Sequence, residues 1–278
     1  LVLPLDGLDS DSGRKLLSSY EDLGEEQWLY IHGISRGHPL VLELINRGAS
    51  AGAFHETLEN YVTVEIFSKL SAEQKRLLSA LSIYREPVPL DALAEQNLDT
   101  DELDSLVEQG LARQVETEIY DVHDLIREFL LRSLDDKMKM ESHSKCADWY
   151  SKAKQTPGFT IELIYHLINS NSNEEASRII VEDGRGLVAL GHMELLGLME
   201  NIELSDVKLE SKTRIHQLQG EIMALLGRFE HAKDVFNEAQ NGALELKNIP
   251  IQAEVLSALA DIALKQGNLE DALSMHNE

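Results

Sequence analysis

Cysteine is almost missing from this sequence. One thiol, Cys146, among 278 residues excludes an internal disulfide framework and any site built from several thiolates, which points to a reducing, intracellular setting. Long apolar runs are missing as well. No stretch approaches the roughly 18–20 uninterrupted apolar residues of a membrane-spanning helix, and no charged-then-apolar leader opens the chain. A soluble, cytoplasmic protein with no membrane partner is therefore expected. Basic residues are the third scarcity: 25 Lys and Arg stand against 49 Asp and Glu, for a net charge of −24. Residues 1–59 hold 10 acids and 4 bases, 60–140 hold 17 and 9, and 141–278 hold 22 and 12, so the excess is spread along the chain. Nucleic-acid affinity rests on neutralising phosphates with Lys and Arg, so this balance opposes nucleic-acid binding by every segment. It suits a cation-rich protein partner, or solubility alone.

What is present reads as a mainly α protein, long enough for two or three small domains. "LVLPL" (1–5) reads as a strand with no neighbour, and a lone strand is not stable, so its sheet is expected to lie in sequence outside this chain. At the other end "DALSMHNE" stops inside a helical pattern, and the chain is expected to be a fragment. "DSDSGRKLLSSY" and "GEEQWLYIHGIS" read as helices. In "SRGHPLVLELINRG" Gly37 and Pro39 punctuate, and Pro39 suits the first turn of a helix from Leu40 to Asn46. "SAGAFHETLENYVTVEIFSKL" reads as a linker passing into a long helix. Ser71 and Gln74 stand at capping-box spacing before a helix with Leu77, Leu78, Leu81 and Tyr84 on one face. The prolines of "REPVPLDALAEQN" end it and start a short second helix. Asp99 and Glu102 repeat the capping-box spacing before "LDSLVEQGL", with Gly110 as the stop. "ARQVETEIYDVHD" alternates about a polar tip, Thr117–Glu118, as a β-hairpin does. Three helices followed by a hairpin is the order of a winged helix.

Past about residue 138 the strand signals vanish and an internal repeat appears. "GEIMALLGRFEHAKDVFNE" (220–238) lies over "ADIALKQGNLEDALSMHNE" (260–278) with a period of 40 residues, Gly227 on Gly267, Glu230 on Glu270 and Ala232 on Ala272. A glycine turn followed by a small residue where helices cross closely is what a helix–turn–helix solenoid requires. "YHLINSNSNEEASRII" is a weaker copy with Glu174 and Ala176 in the same places. The unit resembles a tetratricopeptide repeat with longer helices.

In this order the segments resemble a family. "GHPLVLELI" is similar to the G-x-P-L-x-L segment of the helical lid of signal transduction ATPases with numerous domains (STAND), which include the NB-ARC proteins. The helices and hairpin after it look like that family's winged helix, and "YDVHDLIREFL" resembles its M-H-D motif with Val122 in place of methionine. The resemblance implies a helical lid remnant over 1–58, a winged helix over 59–137 and a tetratricopeptide-like array over 138–278. It also implies that Pro39 packs near an adenine, that His123 approaches the β-phosphate of ADP, and that Asp124 positions the local backbone. Those cofactor contacts need a nucleotide-binding domain as partner. This chain contains no G-x-x-x-x-G-K-[ST] loop and no strand ending in a Mg²⁺-holding acid, so it is expected to carry no cofactor of its own and not to hydrolyse ATP.

Each signal also has a plainer reading. Asp124 can simply cap the helix "LIREFLL" with His123 flanking it; catalysis or metal binding by the pair lacks any serine or cysteine partner in a recognisable motif. Pro39 would suit any helix that begins after a turn. His32 and His38 do not share a helical face, and His143, His166, His192, His216, His231 and His276 are scattered, as core and surface histidines are. Trp149 and Tyr150 read as a peptide-binding pair or as the first anchors of the array. The third winged-helix segment, "DTDELDSLVEQGL", carries no Lys or Arg for a major groove. The function expected is thus the sensor and protein-interaction portion of a STAND-type ATPase, with a protein, peptide or small ligand on the repeats. The alternatives are a DNA-binding winged-helix regulator and a stand-alone repeat scaffold.

Overall fold

A computed structural model describes residues 8–17, 24–35, 37, 39, 41–42 and 67–277. The expected strand at 1–5, most of the helix at 40–46 and most of the linker and long helix at 50–70 lie outside the described residues. The chain divides into two compact units, Leu1–Asp135 and Asp136–Glu278.

The first unit opens with α1 (Ser10–Leu16) and α2 (Glu25–Ser35). The Asp9 carboxylate accepts the Ser12 N–H and caps α1, satisfying a backbone donor that the first turn leaves without a partner. Gly13 lets Trp28 lie against α1, since a Cβ there would sit 3.0 Å from the indole. Gly37 takes a left-handed turn (φ 70°), and Pro39, Val41 and Leu42 are helical beyond it.

From Phe67 the expected winged-helix order appears. A short 3₁₀ turn (Phe67–Lys69) leads to α3 (Ala72–Ile83). The capping box forms as its spacing predicts, with Gln74 N–H on Ser71 Oγ at 3.1 Å and Ser71 N–H on Gln74 Oε1 at 3.0 Å. Leu77, Leu78, Leu81 and Tyr84 are buried, and α3 packs on the helix that follows the hairpin. Next come β1 (Val88–Pro89), α4 (Leu90–Ala94), a 3₁₀ turn (Thr100–Glu102), α5 (Leu103–Glu108), β2 (Ala112–Glu116) and β3 (Ile119–Val122). The second capping box does not form. Asp99 caps the 3₁₀ turn through the Asp101 N–H, while the Glu102 carboxylate accepts from the Gln74 side chain at 2.9 Å; the tighter turn leaves Glu102 free for a tertiary contact. Gly110 (φ 74°) ends α5 as expected, closed by Leu111 N–H to Leu106 C=O.

The hairpin carries a third, unexpected strand: the antiparallel order is β1-β3-β2, with Val88 opposite Tyr120. A bulge at Val115 shifts the β2–β3 register, so that Glu116 pairs with Ile119 but Gln114 with Tyr120 and Arg113 with Asp121. Glu118 turns the tip at φ 58°. Then α6 (Asp124–Ser133) closes the unit.

The second unit is entirely helical: α7 (Asp136–Lys152), α8 (Pro157–Asn169), α9 (Asn173–Ala189), α10 (Leu195–Glu200), α11 (Leu209–Leu225), α12 (Phe229–Glu245), α13 (Ile249–Lys265) and α14 (Leu269–Asn277). Among the described residues no helix is long and apolar enough to cross a membrane. Consecutive helices pack in antiparallel pairs, and α9, α11 and α13 also touch one another in turn. Their turns are one motif repeated. A left-handed residue, Gly227, Lys247 or Gly267 (φ 73°, 52° and 84°), lets the next N–H reach back five residues, as Arg228 to Met223, Asn248 to Ala243 and Asn268 to Ala263. Asn171 does the same after α8. Close approach relies on missing side chains. A Cβ on Gly220 would lie 2.8 Å from the Phe236 ring, and one on Gly242 would collide with Thr213. Ala176, Ala232 and Ala272, the small residues picked out by the repeat, are all buried. Trp149 and Tyr150 are buried on α7, with ring centroids 4.8 Å apart and both rings against Phe159 of α8.

Candidate functional site

The strand-to-helix junction at His123–Asp124 is held by a residue the sequence analysis did not single out. Asp121 points inward on β3, with only 5% of it exposed. Its Oδ2 accepts from Arg113 Nε at 3.0 Å and Nη2 at 2.5 Å, and its Oδ1 from the Val122 N–H at 2.8 Å and Arg127 Nη2 at 2.5 Å. Arg127, on α6, also donates to the carbonyls of Leu81 and Ser82 at the end of α3 and of Val122 on β3. One guanidinium therefore ties helix, hairpin and following helix around one buried carboxylate, and charge-assisted bonds of this kind are the stronger ones. The visible signal was "IYDV", an acid inside an apolar strand, followed six positions on by Arg127.

The frame fixes where His123 and Asp124 stand. His123, not Asp124, is the N-cap, extended at φ −63° and ψ 140°; its carbonyl accepts the Arg127 N–H, and its ring makes no capping bond. The imidazole is half-buried at the helix start. Asp124 is the first helical residue, its side chain 94% exposed and its Oδ1 4.0 Å from Arg127 Nε. The capping expected of Asp124 is thus absent because the helix begins one residue earlier than that reading requires, which makes Asp124 its first helical residue with the carboxylate turned outward. Pro39 is helical and exposed.

The array holds a second polar centre, made by residues far apart in sequence. Arg185 of α9 grips Glu221 of α11 with two bonds, Nη2–Oε1 at 2.6 Å and Nε–Oε2 at 3.2 Å. Glu254 of α13 receives on one oxygen, Oε2, the Arg185 Nη2 at 3.1 Å, the Arg214 Nη1 at 3.0 Å and the Gln217 Nε2 at 2.7 Å. The Gln217 bond and then the two guanidinium groups hold the Glu254 carboxyl below its ordinary pKa, and Glu221 raises that of Arg185. A cavity of about 270 Å³ opens here, with Ile180, Val181 and Leu218 as its apolar wall. Gly184 brings α9 and α11 together beside it, since a Cβ there would meet Leu218 at 2.5 Å.

The scattered histidines do not form a metal centre: among the described residues no three His, Cys, Asp or Glu side chains cluster to hold an ion. His143 and His166 do meet, Nδ1 to Nδ1 at 2.8 Å between α7 and α8, so one ring donates and the other accepts. Burial pushes His143 down to about 4.

No protein-family model and no curated protein matches this chain. A solved structure does: the signal transduction ATPase with numerous domains (STAND) protein with a tetratricopeptide repeat sensor from Pyrococcus horikoshii, at 24% identity and a TM-score of 0.58 over 99% of this chain. The likeness is one of fold, and this chain spans 41% of that protein.

Proposed function

We propose that this chain is the sensor and protein-interaction portion of a STAND-type signalling ATPase. The observation that carries the reading is a fold likeness running over 99% of the chain to a protein described as a STAND protein with a tetratricopeptide repeat sensor. The junction geometry agrees with it. An imidazole at a helix start combines a donor with the positive end of the helix dipole, and both favour a phosphate. His123 would then meet the β-phosphate of ADP on a nucleotide-binding domain, with Pro39 near the adenine. Asp124 lies in the same first turn, while Asp121 and Arg127 hold the backbone that presents the imidazole. A ligand on the repeats shifts the winged helix away from the nucleotide, a two-state linkage that needs differential affinity of only a few kcal/mol.

In the full-length gene product, His123→Ala should lose co-purified ADP, measured by chromatography after denaturation; unchanged retention overturns the sensor role. A DNA-reading winged helix has the fold order in its favour but not the charge. Its third helix, α5, has six residues, with Asp104 and Glu108 and no Lys or Arg. Specific, salt-sensitive retardation of DNA in a gel would reverse the preference.

A further inference from the structure

The cavity between α9, α11 and α13 has the donors and acceptors for a small zwitterion. Gln217, only 2% exposed, accepts from Arg214 Nη1 at 3.0 Å through its oxygen and donates to Glu254 through its nitrogen. A buried amide thus aims both charges. Each keeps a free edge. Among the described residues Arg214 donates only through Nη1, leaving Nε and Nη2 unused, and Glu254 accepts only on Oε2, leaving Oε1 unused. An unused guanidinium edge matches a carboxylate in two-point geometry, and an unused carboxylate oxygen matches an ammonium group.

The local charge is balanced, Arg185 and Arg214 against Glu221 and Glu254. A ligand of net charge would leave one of these groups uncompensated, and a zwitterion would not. A neutral ligand is also indifferent to the −24 field of the chain. Ile180, Val181 and Leu218 offer an apolar wall. The volume of about 270 Å³ lies just below the roughly 300–1,000 Å³ of pockets for drug-sized ligands. It suits one small molecule rather than a folded partner.

We propose that this cavity binds a free aliphatic α-amino acid, its carboxylate on Arg214, its ammonium group on Glu254 and its side chain against the α9–α11 wall. The proposal names the ligand class for the sensor function proposed above and rests on it. Calorimetry of the purified chain with leucine, isoleucine and valine tests it without any nucleotide. At least one should bind. Its N-acetyl and amide derivatives, which each lack one charge, should bind about tenfold or more weakly, the scale of one lost charge-assisted bond.

Arg214→Gln should abolish binding, whereas Arg178→Gln, which removes an exposed pair on α9, should leave it intact. Circular dichroism of both variants separates lost binding from lost fold; if Arg214→Gln unfolds, Glu254→Gln takes its place. Absence of binding by all three amino acids overturns the proposal, as does an N-acetyl derivative that binds as tightly as its parent. Either failure leaves the ADP-retention test of the sensor function untouched.

Discussion

The two units hold their helices together by opposite means. In the winged helix, one buried carboxylate collects two arginines, and its partner Arg127 reaches carbonyls more than forty residues away at Leu81 and Ser82. In the array, the same turn recurs at Gly227, Lys247 and Gly267, and glycine or alanine lets each helix meet the next. A structure hung on one charge centre fails when that centre is removed. A structure repeated along the chain loses one interface at a time.

The strongest break in that contrast is Asp121→Ala, which removes the buried carboxylate that gathers Arg113 and the partly buried Arg127. Removing one partner of a buried pair costs about 3–5 kcal/mol, so urea titration should show the first unit melting early while the array's transition stays put. A single coincident shift of both transitions would erase the distinction. Acid tests the array in turn. Burial pushes the His143 pKa from its ordinary 6.5 down to about 4, so the unfolded chain binds the extra proton between those values. Stability should be full above about pH 6.5 and fall toward about pH 4, by up to about 3 kcal/mol; the His143→Gln variant should flatten that slope.

A smaller effect is expected where close approach is the support. Gly220→Ala drives a methyl into the Phe236 ring and should cost about 1–3 kcal/mol in a thermal melt of the second unit alone. The smallest effect has the opposite sign. Lys247 occupies a left-handed turn that its neighbours in the series fill with glycine, so Lys247→Gly should relieve about 1 kcal/mol of backbone strain. Unchanged or lower stability there would mean that the turn does not limit the array.

How far the sequence could be read follows the range of the interactions. The capping box at Ser71 and Gln74, the stop at Gly110 and the 40-residue spacing of Ala232 and Ala272 are local rules, and each is visible in the fold. Glu102 shows the limit. It has the spacing of a cap, and a carboxylate with a better partner across the helix interface, Gln74, leaves the cap unmade. Lys247 shows another, since a turn recognised by glycine escapes notice when a lysine adopts it. At the junction, "DVHDLIREFL" marked where strand passes into helix, but His123 caps the helix and Asp124 faces outward.

The amino-acid order alone was enough to establish helices, their stops, the hairpin and the period of the array, because these depend on side chains three to six positions apart and on the few residues that tolerate a left-handed turn. Only the tertiary structure decided which charges meet. The Val115 bulge slides β2 by one residue and sets Arg113 opposite Asp121, and the stacking of α9, α11 and α13 brings Arg185, Arg214 and Glu254 to one cavity. Both depend on register between elements, which no local pattern encodes, and both hold the groups on which function is proposed to rest.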